Sequence, residues 1–429
     1  MAKMATTGRR LLLIICLIFA LSMQGSAQLS LTSVPLIVQI SPLASITNIA
    51  SALGATVVDS IPGAYTYLLN VPLVPPTFTA SLFGIQWVEV NTGVSIPNVA
   101  ILSQVTIPGT VAPDWYKNQP AWQIIESQRA LQYSTGRGIV VADINTQVDY
   151  SHPALIGHLT SGYDFIASKP TGSTALNQSE AGYIDQSEAG YIDQSEAGYI
   201  DQSEAGYIDQ FGALIGLPNL TVNPAYSHGT LCAGIIAAIA PGSMIMPLRT
   251  FDSNGESDLF TIAKAIRYAV ANGAQVINMS FGTTRPSKSL QSAVQYAQQH
   301  NVLLVASAGN NNTSVLQYPA GYSGVITAAA TDWFDYKAVF SNYGSDVFVD
   351  APGTNIISAY PGGYYSIVSG TSFSAPAVAG TAALVRSLTW TGVANAIAGG
   401  AVNINSQNPN YVNQLGYGRI DVLHSVKPN

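Results

Sequence analysis

From Ile139 onward the chain alternates short, almost uninterrupted apolar segments with amphipathic ones, and this alternation limits the fold more than any other feature. "GIVVADI", "SMIMPLRTF", "AQVINMSF" and "NVLLVASAG" read as strands, whereas "AGIIAAIA", "LFTIAKAIRYAVANG" and "LQSAVQYAQQH" carry apolar residues at helical spacing. Strands that are apolar on both faces must be covered on both faces, so the pattern predicts a parallel sheet between two helical layers, an α/β fold. In such sheets reactive side chains gather at the carboxyl ends of the strands.

The N-terminal part reads differently. Lys3, Arg9 and Arg10 precede the apolar run "LLLIICLIFALSM", and "GSA" precedes Gln28, the layout of a secretory leader over residues 1–27. An N-terminal membrane anchor is the weaker reading, because that run is shorter than the ~20 residues a spanning helix needs. Residues 28–97 hold a small α+β unit in which "VPLIVQI", "SITNIASALG", "AYTYLLNV" and "IQWVEVN" suggest a β-α-β-β-α-β, ferredoxin-like order. A stretch without clear periodicity, residues 98–120, reads as a linker. The remainder, 121–429, is the large domain.

Cys16 leaves with the leader, so the exported chain keeps Cys232 alone and forms no internal disulfide. Loss of the three leader cations takes the net charge from −7 to −10, which argues against nucleic acid as a partner. With 9% charged and 48% hydrophobic residues the chain suits a compact exported protein and not a disordered one. No later apolar run is long enough to anchor it in a membrane, and a monomer is expected.

Residues 178–209 are four tandem copies of "QSEAGYID", contributing Glu180, Glu188, Glu196, Glu204, Asp185, Asp193, Asp201 and Asp209. An even period keeps each residue type on one face of an extended chain. A surface insertion grown by duplication is the plainest reading. A calcium-binding ladder or an adhesive arm is less favoured, since the glycine-rich calcium signature is absent.

Four stretches carry chemistry: "DINTQVDYSHP", "SHGTLCAGIIAA", "VASAGNNN" and "SGTSFSAPAVAGTAALV". Singly they are weak, for a Ser in a Gly-Thr-Ser turn is most often a helix cap and a lone His most often structural. Together and in this order they resemble the subtilisin-like serine proteases, over roughly Ile139 to Val426. The resemblance implies a subtilisin-like three-layer sandwich preceded by a ferredoxin-like prodomain that assists folding and blocks the cleft. It assigns Ser372 as nucleophile, His228 as general base and Asn310 as side-chain donor of the oxyanion hole. Ser280, Phe281 and Gly282 would pair with an extended peptide, and Ser307, Ala308 and Gly309 would line the opposite side. Substrates would be polypeptides, the chemistry would need no cofactor, and structural calcium is a candidate. Cys232, one helical turn after His228, is expected to pack as a small hydrophobe.

One position departs from the family. The triad carboxylate falls on Asn145, and no sliding of the alignment moves Asp143 into its place; Gln147 also replaces a usual glycine. Losing the triad carboxylate costs on the order of 10⁴ in kcat. Residues two apart on a strand share a face, so Asp143 is expected behind Asn145. Asn145 would accept the imidazole N–H while its amide donates to Asp143, supplying charge at one remove. The expectation is a secreted serine endopeptidase, extracellular or periplasmic, whose mature start lies near Val111 to Gln123. The alternative is a catalytically impaired protein of the same fold that binds peptides or acts as a surface interaction module. Sedolisin-like acid peptidases share the Gly-Thr-Ser turn but lack the "HGT" histidine.

Overall fold

The computed structural model describes residues 33–72, 84–97, 100–106, 112–172, 224–315 and 317–427. The leader and the octapeptide repeats lie outside these. The chain divides into two units, Met1–Thr92 and Gly93–Asn429.

In the smaller unit, β1 (Ser33–Ile40), α1 (Ile46–Leu53), β2 (Thr56–Ile61), β3 (Thr66–Pro72) and β4 (Ile85–Val90) form an antiparallel sheet of order β2-β3-β1-β4 with one helix. Ser45 starts the helix by accepting from Asn48 N (3.3 Å), and Gly54 ends it at φ 60°. Ile49, Ala50 and Leu53 of α1 bury against Leu36, Val38, Leu69 and Val71 of the sheet. A second helix, expected between β3 and β4, falls largely on residues outside the description.

The larger unit opens with β5 (Gly93–Ser95) and β6 (Ala100–Thr106), within and next to the stretch read as linker. Short helical turns between Asp114 and Ala130 follow. The rest runs β7 (Val140–Asn145), β8 (Tyr163–Asp164), β9 (Lys169–Pro170), α2 (Pro224–Ile239), β10 (Met244–Arg249), β11 (Glu256–Asp258), α3 (Leu259–Ala271), β12 (Val276–Met279), α4 (Lys288–Gln299), β13 (Leu303–Ser307), β14 (Ile326–Thr331), β15 (Val349–Pro352), β16 (Ile356–Tyr360), β17 (Tyr364–Ser369), α5 (Thr371–Arg386), α6 (Val393–Gly400) and α7 (Val422–Val426).

Eight strands form the central sheet in the order β15-β14-β13-β12-β7-β10-β8-β9, parallel except at β8–β9. The chain moves one way across it from β7 through α2 to β10, and the other way from β10 through α3 to β12 and through α4 to β13. Right-handed crossovers in opposite directions put α2 on one face and α3 and α4 on the other. Helix α5 packs beside α2. The core between them and the sheet includes Val141, Ile235, Ile239, Val276, Val305, Val378 and Leu384.

Close backbone approach fixes the turn ahead of α5. A Cβ on Gly353 would stand 2.3 Å from Ser374 Oγ and 2.6 Å from Ala330 Cβ, and Gly353 O accepts from Gly370 N (2.8 Å). Gly353→Ala is therefore expected to destabilise the protein by roughly 1–3 kcal/mol in chemical denaturation. Gly399→Ala, in α6 with nothing within 4 Å of the added methyl, should leave stability unchanged or higher.

Candidate active site

Strand β7 turns Val141, Asp143 and Asn145 toward α2 and α5, and Asn145 ends it. Helix α2 comes down on the following loop at Gly229. A Cβ there would lie 2.6 Å from Gln147 O and 2.7 Å from Thr146 O, and Gly229 N donates to Thr146 Oγ1 (2.9 Å). That approach sets His228 against the strand end, with Nδ1 2.7 Å from Asn145 Oδ1. Asn145 Nδ2 donates to both oxygens of Asp143, at 3.3 and 3.2 Å. Since the amide nitrogen faces Asp143, its oxygen faces the imidazole and can only accept; Nδ1 carries the hydrogen and Nε2 the lone pair. His228, Asn145 and Asp143 thus form one hydrogen-bonded line.

Asp143 is completely buried. Besides Asn145 it accepts from Asn278 Nδ2 at 2.8 Å. Burial pushes its carboxyl up to about 7 against the pull of these two amides. Burial also lowers His228 to about 4. The ring is therefore neutral over most of the pH range, the state a general base requires.

Ser372 lies in the first turn of α5, where backbone N–H groups favour developing negative charge. Pro376, inside the helix, has no N–H to give to Ser372 O. Two side chains supply the missing donors: Ser280 Oγ at 2.9 Å and the Cys232 thiol at 3.4 Å. Cys232 is buried in α2, 3.8 Å from His228 Nδ1, and burial holds its thiol well above the usual range, so it stays protonated. Ser372 Oγ is turned toward Ser280 O (3.5 Å), and His228 Nε2 has no hydrogen-bond partner among the described residues.

Asn310 Oδ1 accepts from Thr371 N (2.9 Å) and Thr371 Oγ1 (2.7 Å), next in the chain to Ser372, which identifies Nδ2 as the donor end of its amide. Gly309 N donates to Thr371 Oγ1 (3.1 Å). Ser307 ends β13, and Ala308 N continues the ladder to Ala328 O (2.9 Å). On the other side Ser280 and Phe281 are buried, the latter ring 5.2 Å from Phe251, and Gly282 leads to a bridge between Thr283 and Tyr318. The residues singled out in the sequence therefore meet at one place, at the ends of β7, β12 and β13 and the start of α5.

Two strands from residues 93–106 pair with elements of the large unit. Strand β5 pairs antiparallel with β11, Val94 opposite Ser257, and Ile96 N donates to Gly255 O (3.0 Å). Strand β6 pairs antiparallel with β17, its Ala100 opposite Ser369, three residues before Ser372. Val94 is buried, as are His228 and Ser372.

Sequence reasoning passed over Asn278 and the turn that anchors β17. His152 Nδ1 accepts from Ala154 N (3.1 Å), so Nε2 donates to Tyr364 O (2.8 Å), and Asp149 Oδ2 accepts from Gly362 N (2.8 Å). Asn278 was legible in principle, since it stands two residues before Ser280 at the end of an apolar strand and a buried Asp143 demands donors. Among the described residues no group of three or more His, Cys, Asp or Glu is gathered as a metal site, and no helix is long and apolar enough to cross a membrane.

A model of the subtilase family matches residues 136–418, well over half the chain. The chain belongs to the subtilase family. It is 35% identical over 277 residues to a thermophilic serine proteinase of Bacillus sp. (strain AK1), covering 62% of this chain and 55% of that one. To thermitase of Thermoactinomyces vulgaris it is 33% identical over 285 residues, covering 64% and 84%. The chain thus spans about half the length of the first relative and most of the second. Among solved structures, fervidolysin of Fervidobacterium pennivorans, described as a keratinolytic enzyme related to subtilisin, superposes with a TM-score of 0.70 at 24% identity, over 93% of this chain and 61% of its own. The fold is the subtilisin-like three-layer sandwich expected from the motifs.

The raised carboxyl of Asp143 has a consequence for this subtilase's stability. The folded chain holds a proton that the unfolded chain releases near 3.8, so the stabilisation is present at low pH and lost as pH rises through about 7. The loss amounts to roughly 4 kcal/mol. Asp143→Asn should therefore gain stability relative to the parent between pH 4 and pH 8 in denaturant titrations. A constant difference across that range would contradict the burial argument.

Proposed function

We propose that this subtilase is an exported serine endopeptidase, made as a zymogen, that cleaves polypeptides through an acyl-enzyme on Ser372. The reading rests on one observation above the others: a continuous line of hydrogen bonds from Asp143 through Asn145 to His228, next to Ser372 and Asn310. Its chemistry follows from the residues. Ser372 Oγ turns from Ser280 O, a rotation about one bond, and attacks the scissile carbonyl as His228 Nε2 takes its proton. The Asn310 amide and N-terminal backbone of α5 stabilise the resulting oxyanion. The imidazolium gives that proton to the leaving amine, water repeats the sequence in reverse, and Ser372 is released.

Asp143 acts through Asn145, which holds the imidazole tautomer and passes the field of the carboxylate to the ring. At an effective dielectric of about 20, setting a charge back from about 4 to about 8 Å lowers its attraction for the imidazolium from ~4 to ~2 kcal/mol, roughly thirtyfold in rate. That penalty is far smaller than loss of the carboxylate altogether. The turn of Ser372 toward Ser280 favours the second reading, a peptide-binding protein that does not hydrolyse. The antiparallel addition of β5 to β11 and of β6 to β17, the latter reaching Ser369 three residues before Ser372, supports self-inhibition, since an added antiparallel strand is how a sheet edge takes an extended peptide.

Exchange of the two side chains separates the readings. Asp143→Asn should lose about thirtyfold in kcat/KM and the double variant Asp143→Asn, Asn145→Asp should gain about thirtyfold over the parent. Equal turnover in all three would place the chemistry elsewhere. N-terminal sequencing of the exported chain tests processing. A new start between Val111 and Gln123 that disappears in Ser372→Ala marks self-cleavage, and a start at Gln28 in both favours the binding reading.

A further inference from the structure

We infer that Asn278 is a positioning residue of this centre: its one amide nitrogen clamps the Asp143 carboxylate toward Asn145 and ties it, through Ser280, to the backbone carbonyl of Ser372. Register places it there. Strands β12 and β7 pair in parallel with Asn278 directly beside Asp143, both completely buried. The two hydrogens of Nδ2 go to different partners, Asp143 Oδ1 at 2.8 Å and Ser280 Oγ at 3.1 Å. Ser280 can accept because its own hydrogen is given to Ser372 O, the carbonyl that Pro376 leaves without a helical donor. The result is a closed path from base to nucleophile that does not pass through the cleft: His228, Asn145, Asp143, Asn278, Ser280, Ser372.

The residue type argues for a role beyond packing. Asn278 Oδ1 has no hydrogen-bond partner among the described residues, a penalty that an aliphatic side chain of similar size would avoid. What an aliphatic side chain cannot do is donate to a carboxylate. Asn145 approaches Asp143 at 3.2 to 3.3 Å, so the shorter bond from Asn278 is the stronger restraint on the carboxylate. The titratable groups around Asp143 are His228, reached through Asn145, and the Cys232 thiol on α2. Arg249 stands beside Asn145 on β10, with its guanidinium 3.3 Å from Asp164.

The inference deepens the peptidase reading, and the test keeps the two apart. Asn278→Leu and, as a smaller replacement, Asn278→Ala are made in the full chain, together with the same changes in Ser372→Ala protein. Carboxyl carbon NMR on aspartate-labelled Ser372→Ala protein, with the Asp143 signal identified by its loss in Asp143→Asn, reads the carboxyl without any turnover. The Asp143 midpoint should rise by about one unit in either Asn278 variant. In the active chain the acidic limb of kcat/KM should move up by the same amount, about tenfold less activity below it and convergence with the parent at alkaline pH. An unmoved midpoint, or a loss equal at every pH, would overturn the role of Asn278. A shifted midpoint in a chain that hydrolyses no peptide would uphold the clamp and sink the peptidase reading instead.

Discussion

A carboxylate inside a parallel sheet must bring its own donors, and that demand organises the centre of this molecule. The ladder hydrogen bonds of β7 leave no backbone N–H for the side chain of Asp143, so the donors come from two amides, one along the strand and one across it. Both belong to asparagine, a side chain with a donor at one end and an acceptor at the other. Asn145 uses both ends and passes polarity outward to His228. Asn278 uses both hydrogens of its donor end and passes the constraint sideways to Ser280. Removing the charge would leave two buried amides without their acceptor; removing either amide would leave a buried charge short of donors, the costlier error.

The helix layer is tied to this sheet through a second deficiency. Pro376 breaks the hydrogen-bond series of α5 one turn after Ser372, and the orphaned carbonyl is taken up by Ser280 from β12's end and Cys232 from α2. The end of β12, α2 and α5 therefore converge on one oxygen atom. This explains why a thiol sits so near the imidazole without behaving as a reactive group: its hydrogen is engaged, its surroundings are apolar, and burial keeps it protonated.

The α/β fold was legible because strands buried on both faces have no other composition, and the stacking of Asp143 behind Asn145 was legible because a two-residue period is local. The Asn278 contact was not. It joins residues 135 positions apart, and the register of parallel strands is set by crossover helices and packing, not by any pattern within either strand. Residues 93–106 were opaque for a related reason. Strands β5 and β6 pair with edges of the large unit far along the chain, so neither has a local partner whose alternation would announce it.

Desolvation is the sole cause that lowers His228 and the leading cause that raises Asp143. With the ring near 4 and the carboxyl near 7, the relay is at its least polar: the base is weak and the counter-charge is half discharged at neutral pH. Any admission of water moves the two in opposite directions, the imidazole up toward 6.5 and the carboxyl down toward 3.8. Each change makes the base stronger and its anion more fully charged.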